Sequence, residues 1–267
     1  MLAVMKTALI ALFVVMALGV SAHANVKSQL VEYKDGDTVL EGYLSYDDTI
    51  KGKRPGILVV HAWLGLDDNA RKRADMLAGL GYTAFAVDIY GKGVRPKSPR
   101  EAGKLAGMYK GDRKLLRRRV NAGYTAMLAQ PTVERDKTAA IGFCFGGTTV
   151  LELARSGTNV SGIVTFHGGL DSPAPADAKD IKGKLLVLHG AADPYESPAD
   201  FAAFHKELAD AKIDWQLVEY GGAVHCFTDQ TAGTDVTKGC AYDPVADARS
   251  WAAMRSFFEE IFAKKKK

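Results

Sequence analysis

Cys144 lies in the run Gly142-Phe143-Cys144-Phe145-Gly146-Gly147, between a predicted strand and a predicted helix. The run is a G-x-S-x-G nucleophile elbow with cysteine in the serine position. Its chemistry would be covalent: a sulfur lifted above a sheet, attacking an electrophilic carbon. The glycines follow from sterics. A sharp strand-to-helix turn presses the backbone beside the nucleophile against neighbouring chain, where a side chain at Gly142 or Gly146 would clash. The turn also sets the sulfur at a helix N-terminus, which favours thiolate. A small buried cysteine in a tight turn would fit the same run, so the motif needs partners.

Two partners occur in the order such a site requires, nucleophile, acid, then histidine. Asp193 follows Gly190-Ala191-Ala192, just past a predicted strand end. His225 follows Gly221-Gly222-Ala223-Val224, in the loop after the last predicted strand. His225 would take the Cys144 proton or pair with the thiolate, and Asp193 would orient the imidazole and stabilise its charged form. The segment His61-Ala62-Trp63-Leu64-Gly65-Leu66 supplies one oxyanion donor and the residue after the nucleophile the other. The donors are the backbone N–H groups of Trp63 and Phe145, while the Trp63 and Leu64 side chains cover the sheet end. His167 and His189 also fall at strand ends, in backbone or supporting roles, and His205 falls on a helix surface. No histidine pair has metal spacing and no Cys-x-x-Cys occurs, so neither a zinc site nor a cofactor is expected.

The elements that must position these residues alternate along the chain. Val26 to Tyr46 reads as an edge hairpin about the turn Lys34–Asp37. Strands follow at Gly56–His61, Tyr82–Tyr90, Lys137–Phe143, Val160–Phe166, Lys184–His189 and Asp214–Tyr220. Helices are predicted at Asp67–Leu80, Pro99–Met108, Asp112–Leu128, Gly146–Ala154, Ser197–Ala209 and Val245–Phe262. In the first helix Ala70, Ala74, Leu77 and Leu80 share one side, with Arg71, Lys72 and Arg73 outward. Arg117-Arg118-Arg119 reads as a solvated face. The alternation predicts an α/β fold, a mostly parallel central sheet with helices on both faces. Ligands in such sheets bind at the carboxyl ends of the strands, where Cys144, Asp193 and His225 all fall.

The chain has 267 residues, and Met1 to Ala24 reads as a signal peptide: Lys6, the apolar run Ala8–Val20, then Ala22-His23-Ala24. That run is too short to span a bilayer. Residues 25–267 form a single domain with no later transmembrane segment, exported and, in a Gram-negative source, periplasmic. Lys264–Lys267 is a solvating tail; apart from it the charges nearly balance, which excludes nucleic-acid binding through a broad basic surface. The apolar content excludes disorder. Three cysteines are an odd number for an oxidising compartment. Cys226 and Cys240 are spaced for a bridge, or are two unrelated buried side chains.

These residues resemble the dienelactone hydrolase family, carboxymethylenebutenolidase-like enzymes of the α/β-hydrolase fold with a Cys-His-Asp triad. The resemblance runs from Val31 to Phe262. Its anchors are the segments at His61–Leu66, Val87–Gly91, Ile141–Gly147, His189–Pro194 and Gly222–Phe227. It implies hydrolysis of a small ester or lactone through an acyl-enzyme on Cys144. Two positions depart from the family. Ala62 stands where a glutamate commonly helps generate the thiolate, which leaves activation to His225 alone. Asp229 stands where an arginine binds a substrate carboxylate, and an acid there would repel an anionic lactone. Arg95 and Arg100 are the candidate substitute cations. Two readings of other classes use the same residues. Ala62 is compatible with a silent scaffold that binds a ligand or partner. Cys226 beside His225 is compatible with a resolving cysteine for a redox-active Cys144.

Overall fold

A computed structural model describes residues 24–263 of the chain. Met1 to His23 and Lys264 to Lys267, which carry all but the last residue of the expected signal peptide and the whole lysine tail, lie outside the described residues.

In chain order the elements are β1 (Val26–Asp35), β2 (Thr38–Asp47), β3 (Arg54–Val60), α1 (Asp68–Gly79), β4 (Thr83–Val87), α2 (Pro99–Gly111), α3 (Arg113–Leu128), β5 (Val133–Phe143), α4 (Phe145–Arg155), β6 (Gly162–Phe166), β7 (Lys184–Gly190), α5 (Pro198–Asp210), β8 (Trp215–Tyr220) and α6 (Pro244–Phe262). They build one eight-stranded sheet in the order β1-β2-β4-β3-β5-β6-β7-β8. β1 runs antiparallel to β2, and β2 antiparallel to β4; the other six strands are parallel. This is the α/β-hydrolase fold.

Side chains alternate across the central strands and feed two apolar layers. Leu58 and Val60 of β3 join α3 and α4 residues such as Val120, Met127 and Val150 on one face. Ile57 and Val59 join Ala74 and Leu77 of α1 and Met254 and Phe258 of α6 on the other. Helices are fixed at their starts by side-chain caps. Asp67 accepts the Ala70 N–H, Ser98 that of Glu101, and Ser197 and Asp200 form a reciprocal capping box.

The structure corrects four expectations here. The strand expected over Tyr82–Tyr90 stops at Val87, because Asp88 accepts the N–H groups of both Tyr90 and Gly91 and folds the chain into a turn. Arg73 is buried, not outward. It donates to Asp247 Oδ1 at 2.8 Å and to the Thr228 carbonyl at 2.7 Å, between the rings of Phe143 and Trp251. Leu80, expected in the core, is the exposed residue that closes α1. The arginine run is no solvated face either: only Arg118 is exposed. Arg119 is buried against Asp35 at 2.9 Å, and Arg117 pairs with Glu152 and Asp177, each at 2.7 Å.

Candidate active site

β5 ends in the turn that carries Cys144, whose backbone sits at φ 53°, ψ −115°. A side-chain residue rarely adopts this left-handed conformation, and here close packing enforces it. A Cβ at Gly142 would land on the carbonyl of Gly146, and one at Gly146 on the carbonyls of Val60 and His61. The Cys144 N–H donates to the Phe166 carbonyl at 3.0 Å, tying the turn to β6. The sulfur is half-buried at the start of α4.

His225 Nε2 lies 3.1 Å from Cys144 Sγ, and His225 Nδ1 lies 2.7 Å from Asp193 Oδ2. The three residues come from loops after β5, β7 and β8 and meet at the carboxyl ends of the strands. Asp193 Oδ1 accepts the Tyr195 N–H at 2.9 Å. Burial would raise Asp193, but the His225 hydrogen bond and charge, with the Tyr195 N–H, hold it below the usual carboxylate range. Burial would lower His225, but its hydrogen bonds and charge interactions with Asp193 and Cys144 outweigh that and push it up to about 10. The arrangement therefore stores a proton on the imidazole beside the sulfur.

The other histidines frame this chain of contacts. His167, edge-on to His225 with ring centres 5.0 Å apart, lies 2.8 Å from the Thr228 hydroxyl. Burial, then the charges on His225 and His189, push it well below the ordinary histidine range, so it stays neutral. His189 is buried 3.5 Å from Asp193 Oδ2 and is also lowered by burial. His205, expected on the surface, is half-buried and stacks on Trp215.

His61 has a part that spacing alone did not assign. Its Nε2 accepts the Ile89 N–H at 3.2 Å, so Nδ1 carries the proton and donates to the Ala62 carbonyl at 2.6 Å. Tyr90 Oη donates to the Trp63 carbonyl at 3.0 Å. The peptide that bears the Trp63 N–H is thus held on both sides. Among the described residues, neither the Trp63 nor the Phe145 N–H has a backbone acceptor within the protein. Both residues line the Cys144 cleft, where such donors could receive a developing oxyanion.

The cleft has a volume of about 460 Å³. Trp63, Ala106, Phe145 and Tyr195 give it an apolar character, and Lys110 and Glu196 form a polar corner. Sequence reading missed Lys110 and Glu196. The available signal was the four-residue spacing of Ala106 and Lys110, which puts both on one face of α2. The candidate substitute cations lie elsewhere: Arg95 donates to the Leu66 and Val94 carbonyls, and Arg100 is exposed on α2. Asp229 is outside the cleft lining, its carboxylate accepting the Thr231 N–H and hydroxyl. Cys226 and Cys240 form a disulfide, which leaves Cys144 as the unpaired cysteine. No helix among the described residues is long and apolar enough to cross a membrane.

Comparison with known proteins places this architecture. The model of the Dienelactone hydrolase family matches residues 40–262. The solved structure m3DLH is 44% identical, with a TM-score of 0.86, over 89% of this chain and 99% of its own. The dienelactone hydrolase-like promiscuous phosphotriesterase P91 from metagenomic libraries is 42% identical, with a TM-score of 0.84, over 89% of this chain and 99% of its own. Protein usf of Aquifex pyrophilus is 27% identical over 87% of this chain and 98% of its own length.

Proposed function

The chain belongs to the dienelactone hydrolase family and is a hydrolase of ester or lactone bonds, and from that premise we propose that it works as an exported thiol hydrolase through Cys144, His225 and Asp193. The observation that carries this reading is the continuous line from Cys144 Sγ to His225 Nε2 at 3.1 Å and from His225 Nδ1 to Asp193 Oδ2 at 2.7 Å.

The steps follow from that line. The Cys144 thiolate attacks the acyl carbon, and the carbonyl π electrons move to oxygen, where the Trp63 and Phe145 N–H groups stabilise the charge. Collapse breaks the carbon–oxygen bond, and the proton stored on His225 passes to the departing alkoxide. In a lactone that alkoxide stays attached through the acyl group. His225 then removes a proton from water, which attacks the thioester. The acid leaves and the thiolate–imidazolium pair is restored. With alanine at position 62 and no carboxylate there, the proton balance rests on His225 and Asp193 alone. Export rests on the signal-like segment Met1–Ala24 and gives a periplasmic address in a Gram-negative cell.

The test is p-nitrophenyl acetate hydrolysis by residues 25–267, beside Cys144→Ala. Activity in the first and loss in the second is the expected result. No activity in either would replace the hydrolase with a ligand-binding scaffold, and activity that survives Cys144→Ala would mean another nucleophile.

A further inference from the structure

One corner of the Cys144 cleft has a construction that hydrolysis alone does not require. Lys110 at the end of α2, Thr148 on α4, Gly169 after β6 and Glu196 after β7 all line the cleft with Cys144 and His225. Three of their polar atoms gather around Gly169. A Cβ at Gly169 would lie 3.0 Å from Thr148 Oγ1, 3.1 Å from Lys110 Nζ and 3.3 Å from Glu196 Oε1. With no side chain at Gly169, the three polar atoms stand around its Cα with no methyl between them. The Thr148 hydroxyl donates to the Gly169 carbonyl at 3.2 Å, and Glu196 Oε2 accepts the Leu170 N–H at 3.2 Å. Among the described residues Lys110 and Glu196 do not pair with each other. Lys110 pairs instead with Asp171 at 3.7 Å. An ammonium and a carboxyl oxygen thus stand side by side at Gly169 on one wall of the cleft, which the apolar Trp63, Ala106 and Phe145 also line.

We propose that this corner recognises a hydroxyl group, and that the preferred substrate is a hydroxylated ester or lactone rather than an anionic or wholly apolar one. The proposal builds on the reading that Cys144 opens the ester. A hydroxyl oxygen accepts from Lys110 and donates to Glu196, satisfying both. A hydrocarbon there would leave Glu196 Oε1 and the free Lys110 N–H donors without a partner as the cleft fills. A substrate carboxylate can only accept. It meets the oxygen of Glu196, and the Lys110 charge is already shared with Asp171. Burial pushes Glu196 up to about 7, so near neutral pH it is present in both forms. A hydroxyl can pair with either form, whereas a carboxylate can pair only with the protonated one.

Three lactones on one ring test this: γ-butyrolactone, β-hydroxy-γ-butyrolactone and the carboxylated ring, 5-oxotetrahydrofuran-3-carboxylate. Hydrogen bonds to charged groups predict a kcat/KM roughly tenfold or more higher for the hydroxylated lactone than for the unsubstituted one. Lys110→Met, which removes the donor, and Gly169→Ala, which sets a methyl among the three polar atoms, should each bring that ratio toward one. A wild-type ratio near one, or a preference for the carboxylated ring, overturns the proposal. Dissociation constants of the same lactones for Cys144→Ala, read by NMR titration, should follow the same order without turnover. Tighter binding of the hydroxylated ring with no hydrolysis by the unaltered protein would keep the corner and sink the thiol hydrolase. Equal hydrolysis of all three rings would do the reverse.

Discussion

The N–H of His225 donates to the carbonyl of Gly239 at 3.1 Å, and the His225 carbonyl accepts the N–H of Ala241 at 2.9 Å. The imidazole therefore hangs from a short strand-like pairing whose two sides are also joined covalently by Cys226 and Cys240. Backbone pairing and disulfide hold one register, and that register sets the distance from His225 to Cys144.

Removing the bridge with Cys226→Ser and Cys240→Ser together should cost about 3 kcal/mol, the chain-entropy value for a loop of this length. Urea unfolding reads that loss. p-Nitrophenyl acetate hydrolysis should fall as well, through kcat more than KM, because His225 loses its anchor. A variant with full kcat would show that the backbone pairing suffices.

His225 makes stability depend on pH with a definite sign. Its folded value is raised from 6.5 to about 10. Its contribution is therefore fully present below pH 6.5, declines above it, and is lost as pH rises through 10. The stability gap between wild type and His225→Gln should be widest near pH 6 and shrink by pH 10.5 in urea titrations. A gap that widens with pH would contradict the stored proton.

Replacing His61 by leucine removes the donor that fixes the Ala62 carbonyl and the acceptor of the Ile89 N–H. If the adjoining Trp63 N–H is an oxyanion donor, its displacement should lower kcat by about a hundredfold with little change in KM. An unchanged kcat would mean that the loop holds its place without His61.

Arg73→Met leaves Asp247 buried without its partner and frees the Thr228 carbonyl. Breaking a buried pair from one side costs about 3–5 kcal/mol. Urea unfolding checks it, and a loss under 1 kcal/mol would mean that the methionine repacks against Phe143 and Trp251.

The parallel sheet was legible because buried runs such as Gly56–His61 have the length and apolarity of strands covered on both faces. The strand-end rule then located Asp193 and His225 without knowledge of their contacts. Charged residues defeated the same reasoning. Periodicity gives the side of a helix a residue occupies, but not whether a distant element brings it a counter-charge. Arg73 is buried because Asp247 arrives from 174 residues away. Arg117 meets Glu152 from a neighbouring helix, across 35 residues. Lys110 and Glu196 escaped for a related reason. Each belongs to a different loop or helix end, and only the packed sheet brings them to one glycine.

The elbow at Cys144 divides two responsibilities that most turns combine in one residue. Gly142 and Gly146 secure the bend by leaving no room for side chains, and the φ of 53° is imposed on whatever stands between them. The side chain at 144 takes no part in closing the turn, although the positive φ still disfavours a β-branched residue there. A Cys144→Ser substitution should therefore leave the turn in place while changing the atom it presents. The fold offers a socket in which the atom at position 144 is interchangeable, while the glycines that frame it are the ones it cannot replace.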